Sequence, residues 1–191
     1  MTRKNSTIIP FQTVLADLLK WLKGRSIVII GGVAASILGR PRNTQDIDVL
    51  MSLNNDEWAE LLDSAQKFGF TSRISDALKF AQRSRVFLLK HIVSGIEIDI
   101  SFGALPFEEE CLARAIRVKI AGMTLPIPTP EDLIIMKAVS HRTKDFVDIE
   151  AIIDANSKLD LKRIREWVKE FSRVLEMSEI YDDLEKLISK K

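Results

Sequence analysis

Apolar residues recur along the chain with two different periods, and the changes of period outline its elements. Phe11, Val14, Leu15, Leu18, Leu19 and Leu22 keep helical spacing and predict a first helix that Gly24 terminates. Residues 1–9 before it read as frayed. Ile27-Val28-Ile29-Ile30 is a short β-branched run and predicts a buried strand. Gly31-Gly32 follows. Val33 to Leu38 then allows one or two helical turns, which Gly39 ends as a left-handed cap residue. A polar link from Arg40 to Gln45 leads into Asp46-Ile47-Asp48-Val49-Leu50. There strand alternation sends Ile47 and Val49 to the core and Asp46 and Asp48 together to the other face.

The rest of the chain follows the same logic. Asn54 or Asn55 caps a helix through Trp58, Leu61, Leu62 and Phe68 that ends at Gly69. Residues 70–84 read as a polar connection of weak structure with room for one edge strand. Val86 to Ile92 and Ile96 to Ser101 form a hairpin around Val93-Ser94-Gly95. In its second strand Ile96, Ile98 and Ile100 face the core and Glu97, Asp99 and Ser101 face away. Leu105 to Ala115 predicts a helix with Pro106 near its start, and Arg117 to Ile127 predicts two short strands turning at Ala121-Gly122. Thr129-Pro130-Glu131-Asp132 opens a helix with an N-cap, a proline at the first turn and acids at the positive end of the dipole. Two amphipathic helical stripes close the chain, Leu159 to Val174 and Ile180 to Ile188.

These elements predict an α/β (α+β) fold, a small mixed twisted sheet flanked by helices with a C-terminal helical region. The organisation read from them is a core domain over residues 1–128 and a helical region over 129–191 packed on it. The chain has 191 residues, 46% of them hydrophobic, enough for one sizeable core. Its net charge of +1 neither requires nor excludes nucleic acid. A single cysteine, Cys111, excludes an internal disulfide framework and suits a reducing cytoplasm. With His91 and His141 as the only histidines, zinc is poorly provided for. No run is long enough to span a membrane, and charges inside the first apolar stretch argue against a signal peptide.

The chemistry concentrates between Ser26 and Met51. Two carboxylates side by side on a strand repel each other and are costly to desolvate, and a divalent cation between them removes both costs. A strand–Gly-Gly–helix turn brings backbone N–H groups and a helix N-terminus close to an anion. Alone, the glycine pair reads as a tight turn and the Asp-x-Asp as an exposed strand face. Together they point to a nucleoside triphosphate (NTP) with Mg²⁺ or Mn²⁺.

Gly31-Gly32, a gap of thirteen residues and Asp46-Ile47-Asp48 resemble the nucleotidyltransferase (DNA polymerase β-like) superfamily. The form Arg42-Asn43-Thr44-Gln45-Asp46-Ile47-Asp48 resembles its minimal bacterial and archaeal branch, which includes the toxins of type IV toxin–antitoxin systems. The stretches Pro130 to Lys137 and Arg142 to Ile149 resemble the same branch. The resemblance implies transfer of a nucleoside monophosphate (NMP) from an NTP to an acceptor by two-metal in-line displacement. The acceptor it implies is RNA or tRNA, a protein or a small molecule, and a toxin of this kind would have an antitoxin protein as partner.

By the same resemblance Asp46, Asp48 and Asp99 are catalytic and bind metal, with Glu97 the alternative to Asp99. Gly31, Gly32, Arg42, Thr44, Lys137 and Lys144 hold the nucleotide, and Asp145 and Asp148 orient base or lysine. A surface ion-pair ladder is the other reading of Lys144, Asp145 and Asp148. Gly32 stands where many active members carry Ser, so it keeps the backbone donor and lacks the hydroxyl. An inactive nucleotidyltransferase-like binding module therefore stays open, and an antibiotic-modifying nucleotidyltransferase with a small-molecule acceptor is a third reading. The basic residues along the penultimate helix, from Lys158 to Arg173, read as a solvated face or as an RNA-facing one.

Overall fold

The computed structural model of the chain describes residues 10–189; the frayed start expected for residues 1–9 lies outside them. Helix α1 (Phe11–Trp21) buries Val14, Leu15 and Leu18 along its predicted stripe, and Gly24 turns the chain at φ +83°. Strand β1 (Ser26–Ile29), helix α2 (Gly31–Leu38) and strand β2 (Asp46–Ser52) follow. Helix α3 (Trp58–Ala65) lies between two single 3₁₀ turns, with an Asn54–Glu57 capping box before it and Gly69 at φ +85° after it.

Next come β3 (Phe70–Ser72), α4 (Ala77–Ser84) and the hairpin of β4 (Val86–His91) and β5 (Glu97–Phe102). Helix α5 (Pro106–Ala113) leads to a second hairpin, β6 (Ile116–Ile120) and β7 (Met123–Ile127). Ala121 and Gly122 both have positive φ between those strands, as a two-residue hairpin turn requires. Four helices end the described chain: α6 (Pro130–Ser140), α7 (Thr143–Ala155), α8 (Leu161–Val174) and α9 (Ser178–Ser189).

The main sheet has the order β1-β2-β5-β4-β3. Every neighbouring pair is antiparallel except β2 with β5. A parallel pair needs a long crossover, and residues 53–96 supply it with α3, β3, α4 and β4. This one parallel pairing sets Asp46 opposite Glu97 and Asp48 opposite Asp99. The alternate residues Ile47, Val49, Ile98 and Ile100 are fully buried on the other face. One hydrophobic cluster runs from α1 through the sheet into α6, α7, α8 and α9, so the C-terminal helices share the sheet's core.

The structure corrects two local expectations. Residues 77–84, read as part of a weakly structured connection, form helix α4. Its fully buried residues are Ala77 and Ala81, one turn apart, and with Leu78 only half-buried beside them the apolar stripe is too thin to give a clear helical signal. Gly39 is not a left-handed cap, since its φ is −123°. It is needed for close approach instead: a Cβ there would stand 3.1 Å from both Ala151 Cβ and Ile152 N of α7.

Candidate active site

The parallel register gathers four carboxylates, Asp46, Asp48, Glu97 and Asp99, on one face of β2 and β5. Beside them the chain leaves β1 and opens α2 with Gly31 at φ +60°. Asp48 lies against this turn so closely that a Cβ on Gly31 would stand 1.8 Å from Asp48 Oδ2. Burial raises the pKa of Asp48, and repulsion from Asp46 and Asp99 adds to it. A hydrogen bond from the backbone N–H of Gly32 and the charge of Arg142 act in the opposite direction.

Gly32 is buried, and a Cβ there would meet Thr44 Oγ1 at 2.4 Å. The space a serine would occupy at position 32 is thus filled by the hydroxyl of Thr44. That hydroxyl donates to Asp46 Oδ1 at 2.8 Å and so orients the exposed carboxylate. Ser36 of α2 donates to Arg42 O at 3.1 Å, tying the polar link back onto the helix.

A cavity of about 340 Å³ opens in front of Asp46 and Asp48, between the sheet and the C-terminal helices. Gly31, Gly32, Arg42, Lys137 and Lys144 line it, so the structure brings most of the expected residues to one place. Leu133, Met136 and Phe171 form an apolar wall on its side toward the C-terminal helices. Arg142 also lines the cavity. It lies two residues past the end of α6 and immediately before α7, where nothing in a periodicity marks it.

Two expected residues have company that the sequence did not foretell. Arg73, in the loop after β3, pairs with both Asp99 and Glu97. The pKa of Asp99 is still raised, by burial first and by Glu97, with Arg73 opposing. Lys137 is buried, and its ammonium donates to Asp148 Oδ2 at 2.6 Å and to Asp145 Oδ1 at 3.1 Å. Asp145 and Asp148 are themselves buried, which removes the surface-ladder reading for them, while Lys144 is exposed.

The donor set fits a hard divalent cation in part. Asp46 and Asp48 supply carboxylate oxygens from one strand face, and the pKa of Asp48, raised by burial first and then by repulsion from Asp46 and Asp99, marks a charge that such an ion would stabilise. Among the described residues no group of three His, Cys, Asp or Glu side chains converges on a common point, and Asp99 is paired with Arg73. Cys111 offers no nucleophile, because burial, then the charge of Asp132, pushes its thiol up to about 12. The basic residues of α8 do not form a free cationic strip. Arg163 pairs with Asp132 and Glu110, Arg165 with Glu185, Arg173 with Glu170 and Lys162 with Glu166.

Residues 11–189 match a family described as "Nucleotidyltransferase of unknown function (DUF6036)". The chain belongs to this family. Its nucleotidyltransferase fold is shared with solved structures of low sequence identity. The antibiotic-resistance factor ANT(2'')-Ia in solution is 16% identical, with a TM-score of 0.58 over 90% of this chain and 96% of that one. The lincosamide antibiotic adenylyltransferase LnuA, lincomycin-bound, is 14% identical, with a TM-score of 0.54 over 78% of this chain and all of that one. No curated protein matches the sequence. Among the described residues no helix is long and apolar enough to cross a membrane.

Proposed function

We propose that this nucleotidyltransferase family member transfers an NMP from an NTP to an acceptor hydroxyl. The observation that carries the reading is the acidic face of β2 and β5 set against the Gly31-Gly32 turn, at the mouth of a cavity of nucleotide size. Asp46 and Asp48 would hold Mg²⁺ or Mn²⁺, which when bound supplies charge neutralisation and polarises the α-phosphate. The N–H of Gly31 and the positive end of α2 would face the triphosphate, while the N–H of Gly32 holds Asp48 beside it. Arg42 adds a planar donor suited to phosphate oxygens, and the exposed Lys144 adds a cationic rim. Thr44 holds Asp46 in place.

The acceptor oxygen bonds to the α-phosphorus as the bond to the bridging oxygen breaks, and pyrophosphate leaves with that electron pair. The acceptor proton passes to Asp99, whose raised pKa suits a base. Arg73 is paired with Asp99 in this structure, so the role requires that pair to open.

The test is transfer of label from α-labelled NTPs, each of the four in turn, to total RNA, to protein and to aminoglycoside or lincosamide acceptors. Labelling by wild type and none by Asp48→Asn supports the reading. An RNA acceptor, tRNA included, would favour the toxin branch, and growth arrest on expression that a co-expressed antitoxin protein relieves would then test it. A small-molecule acceptor would assign it to the antibiotic-modifying enzymes. The Arg73–Asp99 pair favours a second reading, a nucleotide-binding module without transfer. Binding of Mg·NTP with no labelling of any acceptor, even by Arg73→Ala, decides for that module.

A further inference from the structure

Arg42 and Arg142 reach one cavity from the two ends of a single chain of ion pairs. Arg42 donates to Asp148 from Nε at 2.8 Å and from Nη2 at 3.0 Å. Arg142 donates to Asp145 from Nε at 2.7 Å and from Nη2 at 3.2 Å. Lys137 Nζ joins the two carboxylates, at 2.6 and 3.1 Å. Each carboxylate therefore takes one arginine fork and shares one ammonium. The middle of the chain is dry: the side chains of Lys137, Asp145 and Asp148 are 5%, 0% and 7% exposed. Its ends are wet, Arg42 at 35% and Arg142 at 58%.

The charge count matters as much as the geometry. Three cations face two carboxylates, so the chain carries one net positive charge. Two arginine–aspartate pairs alone would be neutral and would draw an anion weakly. The nitrogen that each arginine does not give to its aspartate is Nη1. That of Arg42 has only a 3.3 Å bond to Asn43 O, and that of Arg142 has no protein acceptor among the described residues. Both arginines line the cavity, Arg42 within the field of Asp46 and Arg142 within that of Asp48.

We propose that Lys137, Asp145 and Asp148 are positioning residues that present Arg42 and Arg142 as a paired guanidinium clamp for the polyphosphate tail of the nucleotide. The proposal rests on the nucleotide reading above and changes the part of Lys137: it acts through two arginines rather than on a phosphate. Arginine suits the place, since a planar fork can serve a carboxylate and a phosphate at once.

Calorimetric binding of Mg·ATP, Mg·AMP and inorganic tripolyphosphate tests it. Arg142→Gln removes the guanidinium fork on the buried Asp145, so thermal unfolding first establishes that the variant is folded; it should then weaken Mg·ATP by about 10- to 100-fold, the loss of charged hydrogen bonds to phosphate. Mg·AMP should change little. Asp145→Asn is the deciding variant. It raises the net positive charge of the cluster, so a pure charge effect predicts tighter ATP binding, and a purely structural role predicts none. Loss of positioning predicts weaker ATP binding. Lys137→Met should weaken ATP likewise wherever thermal unfolding shows it folded.

Unchanged ATP affinity in Arg142→Gln, or equal or tighter binding by Asp145→Asn, overturns the clamp. Wild type that binds tripolyphosphate but no ATP keeps the clamp and removes the nucleotidyltransferase reading. Binding of neither removes both.

Discussion

Gly31 and Gly32 are required for separate reasons, and substitutions can tell them apart. Gly31 needs both its positive φ and the room taken by Asp48. Gly32 needs only the room taken by Thr44, since its φ is ordinary and the obstacle is a hydroxyl. Gly32→Ala should therefore cost about 1–3 kcal/mol of stability, in the range of overpacked sites. Most of that cost should vanish in a Thr44→Gly background, and chemical denaturation of the four proteins of that cycle measures the coupling. Asp48→Asn carries a second residue-scale prediction. It removes a charge that burial and two neighbouring carboxylates disfavour. In EDTA its melting temperature should equal or exceed that of wild type, although it should lose all transfer. A destabilised Asp48→Asn in EDTA would mean that the carboxylate serves the fold rather than a metal.

At the scale of elements, the junction of α6 and α7 carries Lys137, Arg142, Asp145 and Asp148, and the two aspartates of α7 set a pH dependence. Burial works against the charge of Asp145 and Asp148, but hydrogen bonds from Arg142, Arg42 and Lys137 outweigh it, so both pKa values fall below the ordinary value. The native state then binds fewer protons than the unfolded chain, and stability rises with pH. That contribution is complete above the unfolded value of about 4 and is lost as pH falls through the lower native values. Asp48 and Asp99 act with the opposite sign, but they are present in both proteins compared and cancel. Asp148→Asn should thus unfold at lower temperature than wild type at neutral pH. The two melting curves should converge below about pH 4. Parallel curves down to pH 2 would show that Asp148 is not held ionised by its partners.

The same junction shows where a sequence stops being legible. Strands β2 and β5 were readable because each alternates, and alternation alone puts Asp46, Asp48 and Asp99 off the core. Their pairing was not readable, since the parallel register depends on how residues 53–96 cross over. Lys137 follows the buried Leu133 by four residues on α6, but a lysine at a core spacing does not name its partners, which lie on α7 eight and eleven residues further on. Arg73 follows an edge strand of three residues and precedes a helix whose buried contacts are alanines, so no local pattern directs it to Asp99.

The whole molecule joins two half-sites. The sheet brings the acids and the glycine turn, the C-terminal helices bring Lys137, Arg142 and the apolar wall, and the cavity exists only between them. A ligand that fills it bridges both halves of one continuous core, so binding should register as global stability. Saturation at 100 times Kd adds about 2.7 kcal/mol. For a chain of this size that is a rise in Tm of roughly 5–10 °C, at 2–4 °C per kcal/mol. The rise should need both an NTP and Mg²⁺ or Mn²⁺, because without the ion the triphosphate meets the uncompensated carboxylates of Asp46 and Asp48. EDTA should abolish it, and Asp46→Asn should shrink it. Differential scanning fluorimetry with each NTP, with and without the ion, reads all of these outcomes. An NTP that raises Tm equally in EDTA would place its phosphates away from the acidic face, on the arginines alone.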